Sequence, residues 1–488
     1  MRRTTTWMVL GLVTMGLGFM TWVSRSRAEE SLAPLPLSEA VGIALVNNPT
    51  VGSARASTRV AQIRLRQTAA TWLPTLNYSF TEQRNFTRGT TKVTQEDASV
   101  LRVPQRDYGT LERSNFGLAQ LIYDFQRTTN QIRAARHEFK ATRFSEDVRR
   151  AQTILDVHLA YVSVLLAQRL LRIARETTAH RQELLEHVIK LFKGGLRAKF
   201  DVSRAQVDYK SARLAEVSAE AAIAKSRFEL NAALGVPYLP DRPLVDILDT
   251  PPRFKNPELV VQHALARRPE TQAATARVRA AKATLRSAKA TYLPRVTGTG
   301  TYAHTDGTAG PGDEWLVAME ASVPLFDLGQ TRLQVQMEQA HLKQNQEDLR
   351  AQQNSVVLEV RQRLVDVEEG RARIEEARGL VEQAQENLDL ARQRYEAGLG
   401  RIIDVTDAQL NWTNSRQALD RAKADLHSAI ARVERAAHLY PPEYFPRKKK
   451  EPAAPAAVGP ELDHQPDPPT LRTVRALGGT LSRPPGPV

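Results

Sequence analysis

Residues 128 to 193 contain neither glycine nor proline, a run of 66 helix-permitting positions. As one α-helix that run would be ~99 Å long at 1.5 Å per residue. Residues 330 to 397 repeat the pattern over 68 positions, without proline and with only Gly370 and Gly379 as weak points. Helices of globular proteins average ~11 to 12 residues, so neither run belongs inside a compact domain. Helices of this length have to pack lengthwise against partners.

The two runs belong to an internal repeat. Val41 to Pro74 aligns with Val261 to Pro294 at a shift of 220, with 14 identities in 34 positions, among them Ala44-Leu45, Pro49, Leu65-Arg66 and Leu73-Pro74. Farther along, Ile122-Tyr123-Asp124 matches Leu325-Phe326-Asp327, and Gly195-Leu196 with Asp201-Val202 matches Gly398-Leu399 with Asp404-Val405, now at a shift of 203. The 17-residue difference falls between Pro74 and Ile122, where the first copy is polar and turn-rich. Loops absorb such length changes and packed elements do not. The expected organisation is a leader at 1–28, a first repeat at 29–240, a linker at 241–256, a second repeat at 257–440 and a tail at 441–488.

Each copy reads as helix, strands, very long helix, tight turn, helix. The shorter helices, 50–73 with 202–234 and 270–293 with 404–440, are expected to stack end to end and together nearly match one long helix. Nine alanines between Val202 and Leu234 permit close approach, and Leu184, Leu185, Val188, Ile189 and Phe192 recur as an apolar stripe on the long helix. The strands are expected at about 74–86, 114–125, 294–304 and 314–326. In the first, Leu76, Tyr78 and Phe80 alternate with Asn77, Ser79 and Thr81, the pattern of a strand with one face in lipid and one in water. Phe80, Phe86, Tyr123, Tyr302 and Trp315 sit near segment ends, where a membrane aromatic girdle would lie. A small soluble antiparallel sheet gives the same alternation. Four strands cannot close a membrane barrel alone, and open edges are forbidden in lipid, so a barrel would need several chains.

Arg2 and Arg3 precede an apolar segment from Trp7 to Val23, with Ser26-Arg27-Ala28 after it. That is the layout of a secretory signal cleaved near Ala28; an uncleaved anchor is the rival. After residue 28 no run approaches the ~18 to 20 consecutive apolar residues of a membrane helix. Cysteine is absent, which excludes disulfides, thiolate metal sites and lipid attachment through an N-terminal cysteine. The net charge of +14 includes four arginines in the leader and a basic tail, which leaves +7 spread over residues 29 to 445. A solvated helical surface accounts for that, and nucleic acid is not an expected partner. The tail holds 12 of the 27 prolines and should be disordered or extended.

Ser38-Glu39-Ala40-Val41, Ala44-Leu45, Asn47-Asn48-Pro49, Pro324-Leu325-Phe326-Asp327 and Arg394-Tyr395-Glu396-Ala397-Gly398-Leu399 followed by Asp404-Val405 resemble the TolC-like outer-membrane efflux proteins. The resemblance runs from about Leu35 to Tyr440 and through both copies. It implies a mainly α fold with a transmembrane β-barrel, in which a homotrimer forms one 12-stranded outer-membrane barrel continued by a periplasmic α-helical barrel. It implies a passive exit duct of a tripartite efflux or type I secretion system in the outer membrane of a Gram-negative bacterium. The implied partners are a periplasmic adaptor (membrane fusion) protein, an inner-membrane RND, ABC or MFS-type transporter, and outer-membrane lipid. Many relatives are lipoproteins, and this chain lacks the cysteine. Gln126 stands where the second copy has Gly329, so a looser strand-to-helix turn is expected in the first copy.

The two interhelical turns, Lys193 to Asp201 and Ala397 to Asp404, are the expected periplasmic tips. Asp201 and Asp404 stand where side-chain oxygens cap a helix, and capping alone accounts for both. By resemblance, Asp404 and Asp407 fall on the aspartate rings of a closed aperture, and Tyr395 with Asp201 on a pair that ties neighbouring hairpins shut. At i and i+3 the two aspartates share a helix face. The latch arginine of the family falls on Gly400, with Arg401 one position displaced, and Arg204 with Asp407 is the substitute tie expected from this sequence. Gly195, Leu196, Arg197, Gly398, Leu399 and Arg401 are the expected adaptor-docking surface; an exposed turn without a partner reads the same way. His180, Glu183 and His187 share a face, a cluster that is usually solvated, so no metal and no cofactor is expected. Serine-nucleophile, zinc-protease and P-loop patterns are missing, and no enzyme is expected.

A soluble periplasmic helical scaffold or adaptor without a membrane barrel is the alternative. An adaptor would carry a lipoyl-like β domain at a hairpin, and the Gly195 and Gly398 turns leave no room for one.

Overall fold

The structure, a computed structural model, describes residues 34–94, 100–238, 242–249, 257–307, 310–440 and 444, with the backbone alone at 87–94, 100–108 and 257. The leader and, apart from Tyr444, the tail lie outside the described residues.

Each copy opens with a short helix that the sequence pattern did not show, here α1 (Leu37–Asn47), followed by α2 (Pro49–Ala70). Pro49 cannot continue a helix from its predecessor but suits a first helical position, and the Asn48 side chain caps α2 by accepting from Thr50 N at 2.9 Å. Two strands follow, β1 (Thr75–Thr94) and β2 (Val100–Tyr123), then α3 (Arg127–Lys193) and α4 (Lys199–Leu234). The second copy gives α5 (Pro257–Arg267), α6 (Pro269–Lys289), β3 (Arg295–Gly307), β4 (Gly312–Ser322), α7 (Gln330–Glu396) and α8 (Ile402–Ala437). Both long helices have 67 residues.

The short helices stack along the long ones as the sequence leads one to expect. The Asn48 amide donates to Ala233 O at 2.9 Å, which joins the start of α2 to the end of α4. Gly235 closes α4 with φ +74°, and a Cβ there would lie 2.5 Å from Asn48 Cα, so no other residue fits. At the repeat-equivalent of Asn48 stands Arg268, 3% exposed, whose guanidinium binds Glu270 and Glu359, while Arg435 binds the same two carboxylates. One position in the repeat is thus satisfied by an amide in one copy and an ion network in the other.

The core is a set of helical seams. Val41 and Ala44 of α1 pack on Ile154, Val157 and Tyr161 of α3 and on Leu230 and Leu234 of α4. Val260 and Ala264 of α5 pack on Val356 and Val360 of α7 and Ile430 of α8. Although it has no unbroken apolar run, α3 includes a window long and apolar enough on average to cross a membrane; 56% of it is buried inside the protein. The described part of the linker, 242–249, is strapped down: Arg169 of α3 reaches Asp246 (2.8 Å), Asp249 (2.7 Å) and Asp420 of α8 (3.1 Å).

Both strand-to-helix turns are equally tight, which corrects the looser first turn expected above. Gln126 takes the left-handed conformation with φ 66° where Gly329 has 80°, and Asp124 and Asp327 accept from the amides of Thr128 (2.7 Å) and Thr331 (2.8 Å). The carboxylate anchor holds the turn against the penalty of a side chain there.

The strands form one antiparallel sheet in the order β1-β2-β3-β4. Their bounds differ from the expected ones. β1 and β2 run on to pair Thr94 with Val100, because threonine-rich segments without apolar alternation still suit a strand. β4 stops at Ser322, short of 326, since Pro324 has no amide to donate. The length difference between the copies resides in this longer first hairpin.

Candidate functional site at the hairpin tips

The α3–α4 and α7–α8 turns are built alike. Gly195 and Gly398 both have φ +76° and let the chain reverse, with Leu196 N on Leu191 O (3.0 Å) and Leu399 N on Arg394 O (2.9 Å). That leaves Leu196 and Leu399 at the apices, 73% and 79% exposed.

Below the apices the hairpins meet through Arg197. Its guanidinium donates to Tyr395 O at 3.2 Å and lies 4.5 Å from the centroid of the Tyr395 ring. Tyr395 is buried, packed with Val188, Ala205, Ile402 and Val405, and its hydroxyl has no hydrogen-bond partner among the described residues. Burial raises the pKa of the phenol, Arg197 works against that, and the nearby Asp201 carboxylate adds to it. Tyr395 and Asp201 are therefore neighbours, and the side chain that reaches from the first turn onto the Tyr395 carbonyl and ring is Arg197, one of the residues expected on the docking surface. Gly400 is the repeat-equivalent of Arg197. A Cβ at Gly400 would stand 3.1 Å from Tyr395 N, so that position has little room for a side chain.

Asp404 occupies the third position of α8 and reaches back to Arg401 N at 3.1 Å, with the Arg401 guanidinium at 3.5 Å. It does cap its helix, from inside the first turn. Asp201 stands at the third position of α4, with Ala198 at the cap and no side-chain cap hydrogen bond. Asp404 and Asp407 share the exposed face of α8, opposite the buried Ile402, Val405 and Ala408. Within one chain Arg204 pairs not with Asp407 but with Asp208, one turn along its own helix (3.6 Å), where Arg181 also reaches (3.6 Å).

Above the tips a polar seam joins α3 to α8. Arg181 donates to Thr406 O (2.9 Å), Thr177 meets Thr413 (3.3 Å), and Glu176 pairs with Arg416. A cavity of ≈ 200 Å³ opens here beside His180, Arg181, His187, Arg392, Tyr395 and Gln409. His180 approaches Glu183 at 3.8 Å, and among the described residues no group of three His, Cys, Asp or Glu is arranged to hold a metal.

At the other end of the chain, an aromatic row crosses the whole sheet. Tyr78, Phe116, Tyr302 and Trp315 are direct register partners, with ring centroids 4.8, 6.4 and 4.5 Å apart from one strand to the next. The same face carries Leu76, Phe80, Leu118, Val317 and Met319, all exposed, whereas the opposite face presents Asn77, Ser79, Thr299 and Thr301. Of the expected girdle residues, Tyr302 and Trp315 lie in the row and Phe80 beside it. Tyr123 packs on Phe125 (4.7 Å) at the helix end of the sheet, and Phe86 lies well beyond the row on the extended hairpin. Tyr78 and Phe116, legible as apolar positions of alternating strands, were not among the expected girdle residues.

The sequence profile of the family described as outer membrane efflux protein matches residues 40–236 and 260–437. The chain belongs to this family. As an outer membrane efflux protein it is 28% identical to the probable efflux pump outer membrane protein SepC of Pseudomonas putida, over 43% of this chain and 44% of that protein. It thus spans less than half the length of that relative. It is 26% identical to protein CyaE of Bordetella pertussis over 80% of this chain and 81% of that one. Its fold is similar to that of the open state of the MtrE outer membrane channel of Neisseria gonorrhoeae, with a TM-score of 0.69 at 18% identity, covering 82% of this chain and 88% of that one. The family and fold are those of outer-membrane channels, an α-barrel continued by a β-barrel.

Proposed function

We propose that this chain is the outer-membrane subunit of a passive exit duct for efflux or type I secretion, assembled from three copies. One observation carries the reading. The sheet has an apolar, aromatic-crossed face and two open edges, β1 and β4. Such a face suits lipid, and in lipid the edges have to be paired. Three copies supply 12 strands, and the helices below them supply the periplasmic tunnel. An export signal ending near Ala28 delivers the chain, without lipidation.

Closure is placed at the hairpin tips. Arg197 clasps the second hairpin to the first, and Asp404 and Asp407 from three copies line the narrowest passage, where focused negative charge favours cations. The apical Leu196 and Leu399 face the periplasm for an adaptor, which draws the hairpins apart when an RND, ABC or MFS-type transporter docks. The aromatic row marks the outer boundary of the membrane. Replacing Asp404 and Asp407 by alanine should raise single-channel conductance and abolish block by divalent cations. Unchanged conductance and block would leave the pair as helix caps only. Recovery of the chain as a soluble monomer without detergent would favour the periplasmic scaffold instead.

A further inference from the structure

An open groove of ≈ 630 Å³ runs between α3 and the first part of α6, with Leu265 and Ala266 of α5 beside it. Its size is that of a small-molecule site. His137 and Asp147 on its α3 wall are 10 and 20 residues past Arg127, so the groove lies ~15 to 30 Å along the helix from the sheet. It is separate from the hairpin tips and from the aromatic row.

The groove collects cations from both helices. Lys140 and Arg143 of α3 and Arg279 of α6 line it. The pKa of His137 is lowered by burial and then by the charges of Lys140, Arg279 and Arg136, so cations of α3 and α6 converge on one imidazole. Elsewhere the helix cations find carboxylates on their own helix, as Arg371 does with Glu368 and Arg373 with Glu369. Among the described residues, none of Lys140, Arg143 and Arg279 is in an ion pair. Asp147, the one acidic residue on the wall, pairs instead with Arg150 at 3.6 Å.

Two more groups on the wall lack partners. Thr271, in the first turn of α6 and 6% exposed, has a hydroxyl without a hydrogen-bond partner among the described residues, and so does Nδ1 of His137. Buried polar groups are rarely left so. Packing does not require either one. Under the shift of 220 Thr271 corresponds to Val51, a side chain of the same shape that is 1% exposed, and under the shift of 203 His137 corresponds to Ala340. Gln272 and Thr275 differ from these two, since they direct donors to Ala266 O (3.3 Å) and Thr271 O (2.8 Å) and each keeps an acceptor.

We propose that this groove binds a small phosphorylated solute of the sugar-phosphate class. Cations and unpartnered donors without a matching carboxylate select an anion, and the phosphate meets Lys140, Arg143 and Arg279 and takes the Thr271 hydroxyl. The groove is much larger than a bare phosphate, and the acceptors of Gln272 and Thr275 suit the hydroxyls of a sugar. The bound molecule ties α3 of the first copy to α6 of the second.

Isothermal titration of the purified full chain in detergent, at fixed ionic strength and with glucose 6-phosphate as the probe, tests the site. Glucose 6-phosphate should bind more tightly than inorganic phosphate or dihexanoyl phosphatidic acid, and at least about tenfold more tightly than glucose, which lacks the charged acceptor. The Lys140→Gln, Arg279→Gln double variant should weaken binding about a hundredfold, about tenfold for each charged donor lost. Thr271→Val should weaken it about fivefold without lowering the ligand-free melting temperature, because the other copy packs valine there. Arg277→Gln with Arg286→Gln removes the same charge from α6 outside the groove and should leave binding as in the wild type. Absence of binding heat with glucose 6-phosphate, equal binding of bare phosphate, or tighter binding of the phosphatidic acid would overturn the proposal. So would unchanged binding in the Lys140, Arg279 variant or an equal loss in the Arg277, Arg286 control. If the double variant fails to fold, unchanged binding in Thr271→Val overturns it instead.

Discussion

Truncating Arg197 to alanine removes the one side chain that holds both the carbonyl and the ring of Tyr395. A hydrogen bond from a charged donor is worth about 1.5 kcal/mol net, and a partly exposed cation–π contact about 0.5. The loss is therefore about 2 kcal/mol in each protomer, roughly 30-fold in the ratio of closed to open hairpins, and larger if the three protomers open together. Bilayer recording of the purified channel should show a matching rise in open probability or conductance. Arg197→Lys should fall between, keeping the charge but not the planar fork. Tyr395→Phe should behave like wild type, because the phenol oxygen has no hydrogen-bond partner among the described residues. Gly400→Arg should not rescue the alanine variant, since its Cβ meets Tyr395 N at 3.1 Å. Wild-type conductance in Arg197→Ala together with an opened Tyr395→Phe channel would refute the clasp and restore the tyrosine–aspartate pair as the latch.

Three further outcomes follow from the packing. Burial, with the neighbouring charge of His427, pulls the His158 pKa down to about 4. A depressed imidazole pKa contributes stability that is present above about 6.5 and lost as pH falls through about 4, here about 3 kcal/mol; circular dichroism should find His158→Gln unfolding at a lower pH than wild type, and identical acid midpoints would contradict the assignment. Gly235→Ala combines a positive φ with a 2.5 Å approach to Asn48 Cα, so thermal melting should register a loss of more than about 2 kcal/mol; an unchanged midpoint would count against the α2–α4 junction. Arg169→Met should loosen residues 242–249, seen as faster amide exchange there, because it leaves Asp246, Asp249 and Asp420 facing one another; unchanged exchange would remove the strap.

The helices were legible because their signals are one-dimensional. The absence of glycine and proline located α3 and α7 to within a residue or two, and repeat symmetry located everything aligned with them. The helix starts after Pro49 and Pro269 were legible, but the 11-residue helices before them were not read, because so short a run shows little apolar period of its own. Strand ends were lost because β1 and β2 are extended by threonine and arginine, which carry no apolar period. The tip could be found but not wired. Arg197, Gly400 and Tyr395 are ordinary turn and helix residues in sequence, and only the approach of the two hairpins shows that Arg197 spans to Tyr395 while Arg204 turns back to Asp208. The equivalence of Arg197 with Gly400 under the 203-residue shift was the one available hint. The aromatic row is likewise a property of register across four strands, invisible to any single strand.

The central claim is that several copies close one duct through the membrane. Recording from planar bilayers exposed to the purified full chain tests it most directly. Discrete conductance steps that favour cations, with larger steps or longer openings in Arg197→Ala, are the predicted result. A silent bilayer, from a preparation that stays monomeric and soluble without detergent, would contradict it.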